Sequence, residues 1–170
     1  MQGLAMTGGR FSVSLRALSE PGSTGAEEVG FEVASHPSLP LRPLAKVVSG
    51  GELSRISLAI QVVAAKKSPV GTLVFDEIDS GIGGAVAETV GRSLRTLGRE
   101  RQVLCVTHLP QVAAQGDEQW SVSKSGARGK PQTAVARLDR TGRIEELARM
   151  LGGAEITATT RNHAAELLGK

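Results

Sequence analysis

Aromatic residues are scarce: the chain holds three Phe, one Trp and no Tyr among 170 residues. Stacking nucleobases on a protein face needs several rings, so a single-strand platform of the OB-fold or RRM kind has almost nothing to build on. Cysteine is nearly absent as well. Cys105 is the single one, which permits no disulfide within the chain, and its place in the apolar run QVLCVTH suits a small buried strand residue. That thiol and three scattered histidines, His36, His108 and His163, offer no metal-ligand spacing. No apolar run reaches the ~18 residues a membrane span needs, and no charged-then-apolar leader opens the chain, so a cytoplasmic location is expected. Excess charge is missing too: 20 Lys+Arg against 17 Asp+Glu leave a net charge of +3, short of the basic surplus of a dedicated nucleic-acid module.

What is present is enough apolar material, 40% of residues, for one domain spanning 1–170. Period-two alternation in RFSVSLRAL (Arg10–Leu18) and EVGFEVA (Glu28–Ala34), separated by turn-rich EPGSTGAE, predicts an antiparallel hairpin. A loop with Pro37, Pro40 and Pro43 leads to Ser49, after which Leu53, Ile56, Ile60 and Val63 mark one face of a helix ending near Lys66 and Lys67. VGTLVFDE is an apolar run ending in acid, the pattern of a parallel strand covered on both faces. A helix over Ala85–Leu97, a strand over Gln102–Thr107, two polar-flanked strands at Gln119–Lys124 and Thr133–Asp139, and helices at Thr141–Leu151 and Thr157–Leu168 complete the pattern. Thr141 and Thr157 are the expected N-caps of those last two helices. The order predicts an α/β fold: a mainly parallel sheet flanked by helices, with antiparallel strands added before and after.

Functional groups gather at the carboxyl ends of parallel strands, where both Asp76-Glu77 and Thr107-His108 fall. Magnesium prefers hard oxygen ligands and keeps part of its water shell, which suits Asp76. A second carboxylate one residue on points elsewhere and suits orienting or deprotonating a water, the role open to Glu77. SGGELSR (Ser49–Arg55) opens a helix with two glycines, whose backbone N–H groups and helix dipole favour a phosphate. Taken singly, each feature has an ordinary explanation: a serine-capped helix, a strand ending in solvent, a structural histidine.

In combination they do not. SGGELSR, an apolar strand ending DE, then DSG, then a strand ending TH, in this order, resembles the signature motif, Walker B, D-loop and H-loop of ABC-type ATPases, over Ser49–Pro110. The longer stretches LRPLAKVVSGGELSRISLAI, TLVFDEIDSGIGG and VTHLPQVAAQGD resemble the RecN family of SMC-like repair proteins, from about Arg10 to the last helices. That resemblance implies the C-terminal lobe of a split ABC/SMC-type P-loop NTPase head: a hairpin at 10–34 after a coiled coil, the motifs at 49–110 and terminal helices at 141–168. It implies ATP and Mg2+ as cofactors. By resemblance Asp76 serves the metal, Glu77 the attacking water and His108 the terminal phosphate. Ser49, Gly50, Gly51 and Glu52 would meet nucleotide held mainly by a second head, and Asp79 would act across that interface. It further implies double-strand-break repair and recombination in the bacterial cytoplasm at the nucleoid, and homodimerising heads. DNA contact is expected to be electrostatic and sequence-nonspecific, with no membrane involved. A transporter's nucleotide-binding subunit shares the four motifs but commonly carries LSGGQ, and a scaffold that lost catalysis would not need Asp76, Glu77 and His108.

The chain contains no GxxxxGKS or GxxxxGKT. GARGKP at Gly126–Pro131 has the wrong glycine spacing and a proline where a metal-binding hydroxyl belongs, so it reads as a turn. The phosphate cradle is therefore expected on a separate N-terminal lobe of the same protein. Isothermal calorimetry on the 170-residue chain alone is expected to show no micromolar ATP affinity; a micromolar Kd would contradict that placement.

Overall fold

The computed structural model describes residues 8–47, 50–67, 69–76, 79, 81–127, 130–152 and 155–169. Packing divides the chain into two compact units, one made of 1–68 with 80–82 and the other of 69–79 with 83–170.

In the first unit, β1 (Arg10–Gly22) and β2 (Gly25–Ala34) form an antiparallel hairpin, and the short β3 (Arg42–Pro43) adds to β2. The strands run through most of the segment expected to be a loop. They turn within Gly22 to Gly25, where Gly25 at φ +122° takes a backbone conformation that side-chain-bearing residues rarely adopt. Phe11 and Phe31 lie on one face of the hairpin and stack with centroids 5.8 Å apart. The proline-rich loop is tied back by Arg10, whose guanidinium donates to the Leu39 carbonyl at 2.8 Å. His36 has a local role there, with Nδ1 accepting the Ser38 backbone N–H at 3.2 Å. Helix α1 (Gly50–Lys67) follows, carrying Glu52 in its first turn, where the dipole favours an acid, and burying Ile56 and Leu58.

The second unit is built on β4 (Thr72–Asp76) and β5 (Gln102–Val106), paired parallel in register from Thr72↔Gln102 to Asp76↔Val106. Between them α2 (Gly84–Gly98) makes the crossover and buries Ala87, Val90, Gly91, Leu94 and Leu97, a stripe at helical spacing. Gly91 lets α2 approach α3 (Pro110–Ala113) closely: a Cβ there would sit 2.7 Å from the Gln115 side chain and 3.2 Å from the Gln111 carbonyl. β6 (Trp120–Ala127) and β7 (Lys130–Arg137) form an antiparallel hairpin of their own. Of the GARGKP stretch, Gly126 lies opposite Pro131 and Ala127 opposite Lys130 in that ladder. Helices α4 (Arg140–Gly152) and α5 (Ala158–Gly169) close the unit, and Leu147, Ala148, Ala164 and Ala114 form a buried cluster with Ile144, Leu151 and Leu167 packed around it.

Two expectations are corrected. The parallel strands are covered on one face only. Phe75 is 5% exposed, while Val74, Leu104 and Val106 on the other face are 66%, 50% and 59% exposed, so an apolar surface is left open where burial on both sides was expected. The cap of α4 is Asp139 and not Thr141, because Asp139 Oδ1 accepts the Gly142 N–H at 2.7 Å and the helix starts one residue earlier. Thr157 does cap α5, its hydroxyl accepting the Thr160 N–H at 3.1 Å. In chemical denaturation, Asp139→Ala is expected to cost about 1 kcal/mol, and Thr141→Ala, an exposed position inside the helix, less than ~0.5 kcal/mol.

Candidate functional site

The parallel register of β4 and β5 sets Asp76 beside Val106, so the residues leaving both strands emerge at one edge. Asp76 is exposed at the end of β4, and among the described residues no side chain pairs with its carboxylate. Asp79, three residues on, is the opposite case: it is 1% exposed. A buried carboxylate is costly unless donors surround it. Asp79 Oδ2 has two. The Thr107 hydroxyl donates to it and the His108 backbone N–H donates at 3.0 Å, while His108 Nδ1 lies 3.3 Å away.

Thr107 Oγ1 also accepts the Leu109 N–H at 3.0 Å, folding the chain into a tight turn before Pro110 opens α3. The backbone of the loop after β5 is thus tied to the loop after β4 through one oxygen. The His108 ring stays open to its surroundings, its side chain 71% exposed. Since a carboxylate only accepts, the Nδ1 contact is favourable when Nδ1 carries a proton, which leaves Nε2 as the outward ring atom.

Cys105 lies one strand position from these groups. Its thiol is pushed up to about 11, first by burial and then by the Asp79 and Asp76 carboxylates. It is a half-buried strand residue, where its apolar run pointed to a buried one. Elsewhere in this unit, a cavity of about 400 Å³ is lined by Arg95, Arg137, Arg140, Arg143, Asp117 and Glu118 among others. Its charges are largely answered within it. Arg137 pairs with Glu118 at 2.6 Å, Arg95 with Asp117 at 3.7 Å, and Arg143 donates to the carbonyls of Gly116 and Asp117 at 2.6 and 3.0 Å.

Of the residues singled out in the sequence, the structure brings Asp79 and His108 into contact, with Asp76 at the same strand edge. Gly50, Gly51 and Glu52 form the first turn of α1, in the other unit. Ser49 and Glu77 lie outside the described residues. The buried Asp79 carboxylate takes donors from Thr107 and His108 of its own chain. Thr107, placed with His108 at the strand end in the sequence, had no role of its own there. Its only signal was a hydroxyl residue directly before the histidine at a strand end.

No protein-family profile matches the chain. Among solved structures, one reported under structural biochemistry of ATP-driven dimerization and DNA stimulated activation of SMC ATPases superposes with a TM-score of 0.65 at 20% identity, covering 90% of this chain and 88% of that one. The Smc head domain with a coiled coil and joint from Pyrococcus yayanosii gives a TM-score of 0.64 at 21% identity, over 85% of this chain and 26% of that one. The α/β fold is therefore that of Smc head domains. In sequence, the DNA repair protein RecN of Xylella fastidiosa (strain Temecula1) is 50% identical over 167 residues, and RecN of Vibrio cholerae is 50% identical over 169. RecN of Streptomyces coelicolor is 45% identical over 177. These alignments cover 97%, 99% and 97% of the chain, which spans about 30% of the length of the relatives. The chain belongs, as a segment, to the RecN family.

With its pKa near 11, Cys105 is expected to alkylate on the order of 100-fold more slowly than a free cysteine at pH 8, because the thiolate is the reacting form. The folded thiol keeps its proton to higher pH than the unfolded one. Its contribution to stability is therefore complete below about 9.0 and is lost as pH rises through about 11. Iodoacetamide kinetics against pH check both; rapid labelling of the folded chain at pH 8 would contradict them.

Proposed function

We propose that this chain supplies the hydrolytic edge of an ATP-driven head in a protein of DNA double-strand-break repair and recombination. One observation carries the reading: an exposed carboxylate, Asp76, ends β4, and a buried Asp79 in the loop after it meets the exposed His108 in the loop after β5. Relatives named as DNA repair proteins at 50% identity support the repair role over that of a transporter subunit.

On this reading, ATP is held chiefly by a P-loop lobe of the same protein, which also covers the open face of Val74, Leu104 and Val106. Burying such side chains fully is worth about 1.5–3 kcal/mol each, a driving force for docking the two lobes. Asp76 suits magnesium, since a single unpaired carboxylate at a strand end is the kind of ligand that ion takes together with substrate phosphates and water. When bound, the ion offsets negative charge on the phosphates. Glu77 orients the attacking water and takes its proton. The outward edge of His108 meets the terminal phosphate. Ser49, with Gly50, Gly51 and Glu52 of the first turn of α1, faces nucleotide on a second, identical head, so that ATP joins two heads and hydrolysis releases them. DNA is bound through phosphates without regard to sequence, in the bacterial cytoplasm at the nucleoid. This placement makes the whole chain one lobe of that head.

Substituting the adjacent carboxylates in the intact protein separates their roles. Glu77→Gln keeps shape and nucleotide binding but removes the base, so turnover is expected to fall by about 100- to 10,000-fold, or roughly 3 to 5 kcal/mol of barrier, while ATP-bound dimers accumulate. Asp76→Asn is expected to weaken Mg-ATP engagement and dimerisation together. ATPase rates and ATP-dependent dimerisation measured on both variants check this. Near-normal turnover in Glu77→Gln, or variants that dimerise alike, would overturn it.

A further inference from the structure

We infer that Asp79 and Thr107 form a clasp within one chain that positions His108, and that Thr107 is a positioning residue for ATP turnover. The inference rests on the role proposed above for His108 and specifies what holds that residue in place.

Three observations point to positioning. The carboxylate of Asp79 is 1% exposed, and the polar contacts seen at its Oδ2 come from Thr107 and His108, two consecutive residues on the loop after β5. A charge buried at this site is an expensive way to join two loops, since an apolar pair of similar volume commonly does so at no loss of stability. What the charge adds is orientation. It holds the His108 backbone through the N–H at 3.0 Å and lies 3.3 Å from ring Nδ1, while the His108 side chain remains 71% exposed.

Thr107 supplies the third tie. Its hydroxyl donates to Asp79 and accepts from the Leu109 N–H at 3.0 Å, so one side chain sets both the start and the end of the turn carrying His108. With Nδ1 beside the carboxylate, Nε2 is the ring nitrogen left to meet a ligand, and as an N–H it would donate to an anionic oxygen. Groups fixed in this way cost little to organise when substrate arrives, which is where positioning accelerates a reaction.

The test uses the intact protein and compares Thr107→Val, Thr107→Ser, His108→Ala and the Thr107→Val/His108→Ala double variant by steady-state ATPase kinetics, with thermal melting to establish that each is folded. Valine keeps the shape of threonine and loses the hydroxyl; serine keeps the hydroxyl. Thr107→Val is expected to lower kcat about 10-fold or more with KM for ATP within about twofold, since misplacing a reacting group by an ångström costs up to ~100-fold. Thr107→Ser is expected to restore kcat to within about threefold. The double variant should be no slower than His108→Ala alone, because Thr107 acts through the histidine.

A folded Thr107→Val with normal kcat overturns the clasp. So does failure of rescue by serine, or a double variant whose losses simply multiply, which is the signature of a purely structural role. If His108→Ala itself leaves turnover unchanged, the proposed role of His108 fails and the clasp falls with it. If His108→Ala is slow and Thr107→Val is not, the clasp alone is wrong.

Discussion

The parallel pairing of β4 with β5 is the constraint on which the site depends. Five residues of ladder, from Thr72↔Gln102 to Asp76↔Val106, decide where both strands stop. A slip of β5 by one residue would move Cys105 from the packed side to the open side and turn Leu104 and Val106 inward. Asp76 would then no longer end its strand beside Val106, and the loop carrying Thr107 and His108 would leave from a different height. Helix α2 makes such a slip costly, because its stripe of Ala87, Val90, Leu94 and Leu97 is buried in this one arrangement. Gly91 brings α3, and so the end of the His108 loop, close to that same helix.

Apolar packing and buried charge divide the labour within this unit. The cluster around Leu147, Ala148 and Ala164 is apolar and tolerates no polar group. At the strand edge the order reverses. A fully buried acid is retained there, and it stays affordable only because Thr107 and His108 bring donors to it. The open face of the parallel pair is a third regime. Its valines and leucine are too exposed to stabilise this chain and well suited to being covered by another surface.

Much of this was legible in the sequence because hydrophobic period and motif order are local signals. Helices α1 and α2, the DE strand and the TH strand appear within a few residues of where periodicity puts them. The misses have physical causes. β1 and β2 run further than expected because turn-forming residues near Pro21 and Gly22 are accommodated in a long hairpin. Asp139 outcompetes Thr141 as a cap because an acid one position before the helix reaches the free amides from outside, which a residue already inside cannot do. The burial of Asp79 was not legible at all. An acid in a glycine-rich turn looks solvated until the fold shows a hydroxyl and an amide, 28 and 29 residues away, directed at one of its oxygens. The open face was hidden for a similar reason: a continuous apolar strand looks the same whether its second face is covered by its own chain or by another.

That last point leads to the measurement that bears most directly on the account. The 170-residue chain and the P-loop lobe proposed for the same protein, produced separately and mixed in equal amounts, should hydrolyse ATP together when neither does so alone. Amide protection of residues 72–76 and 102–106 should rise in the mixture as the open face is covered. Turnover by the chain without its partner, or lobes that associate and bind ATP yet leave those strands unprotected and turnover absent, would contradict the claim that this edge is the hydrolytic half of a shared head.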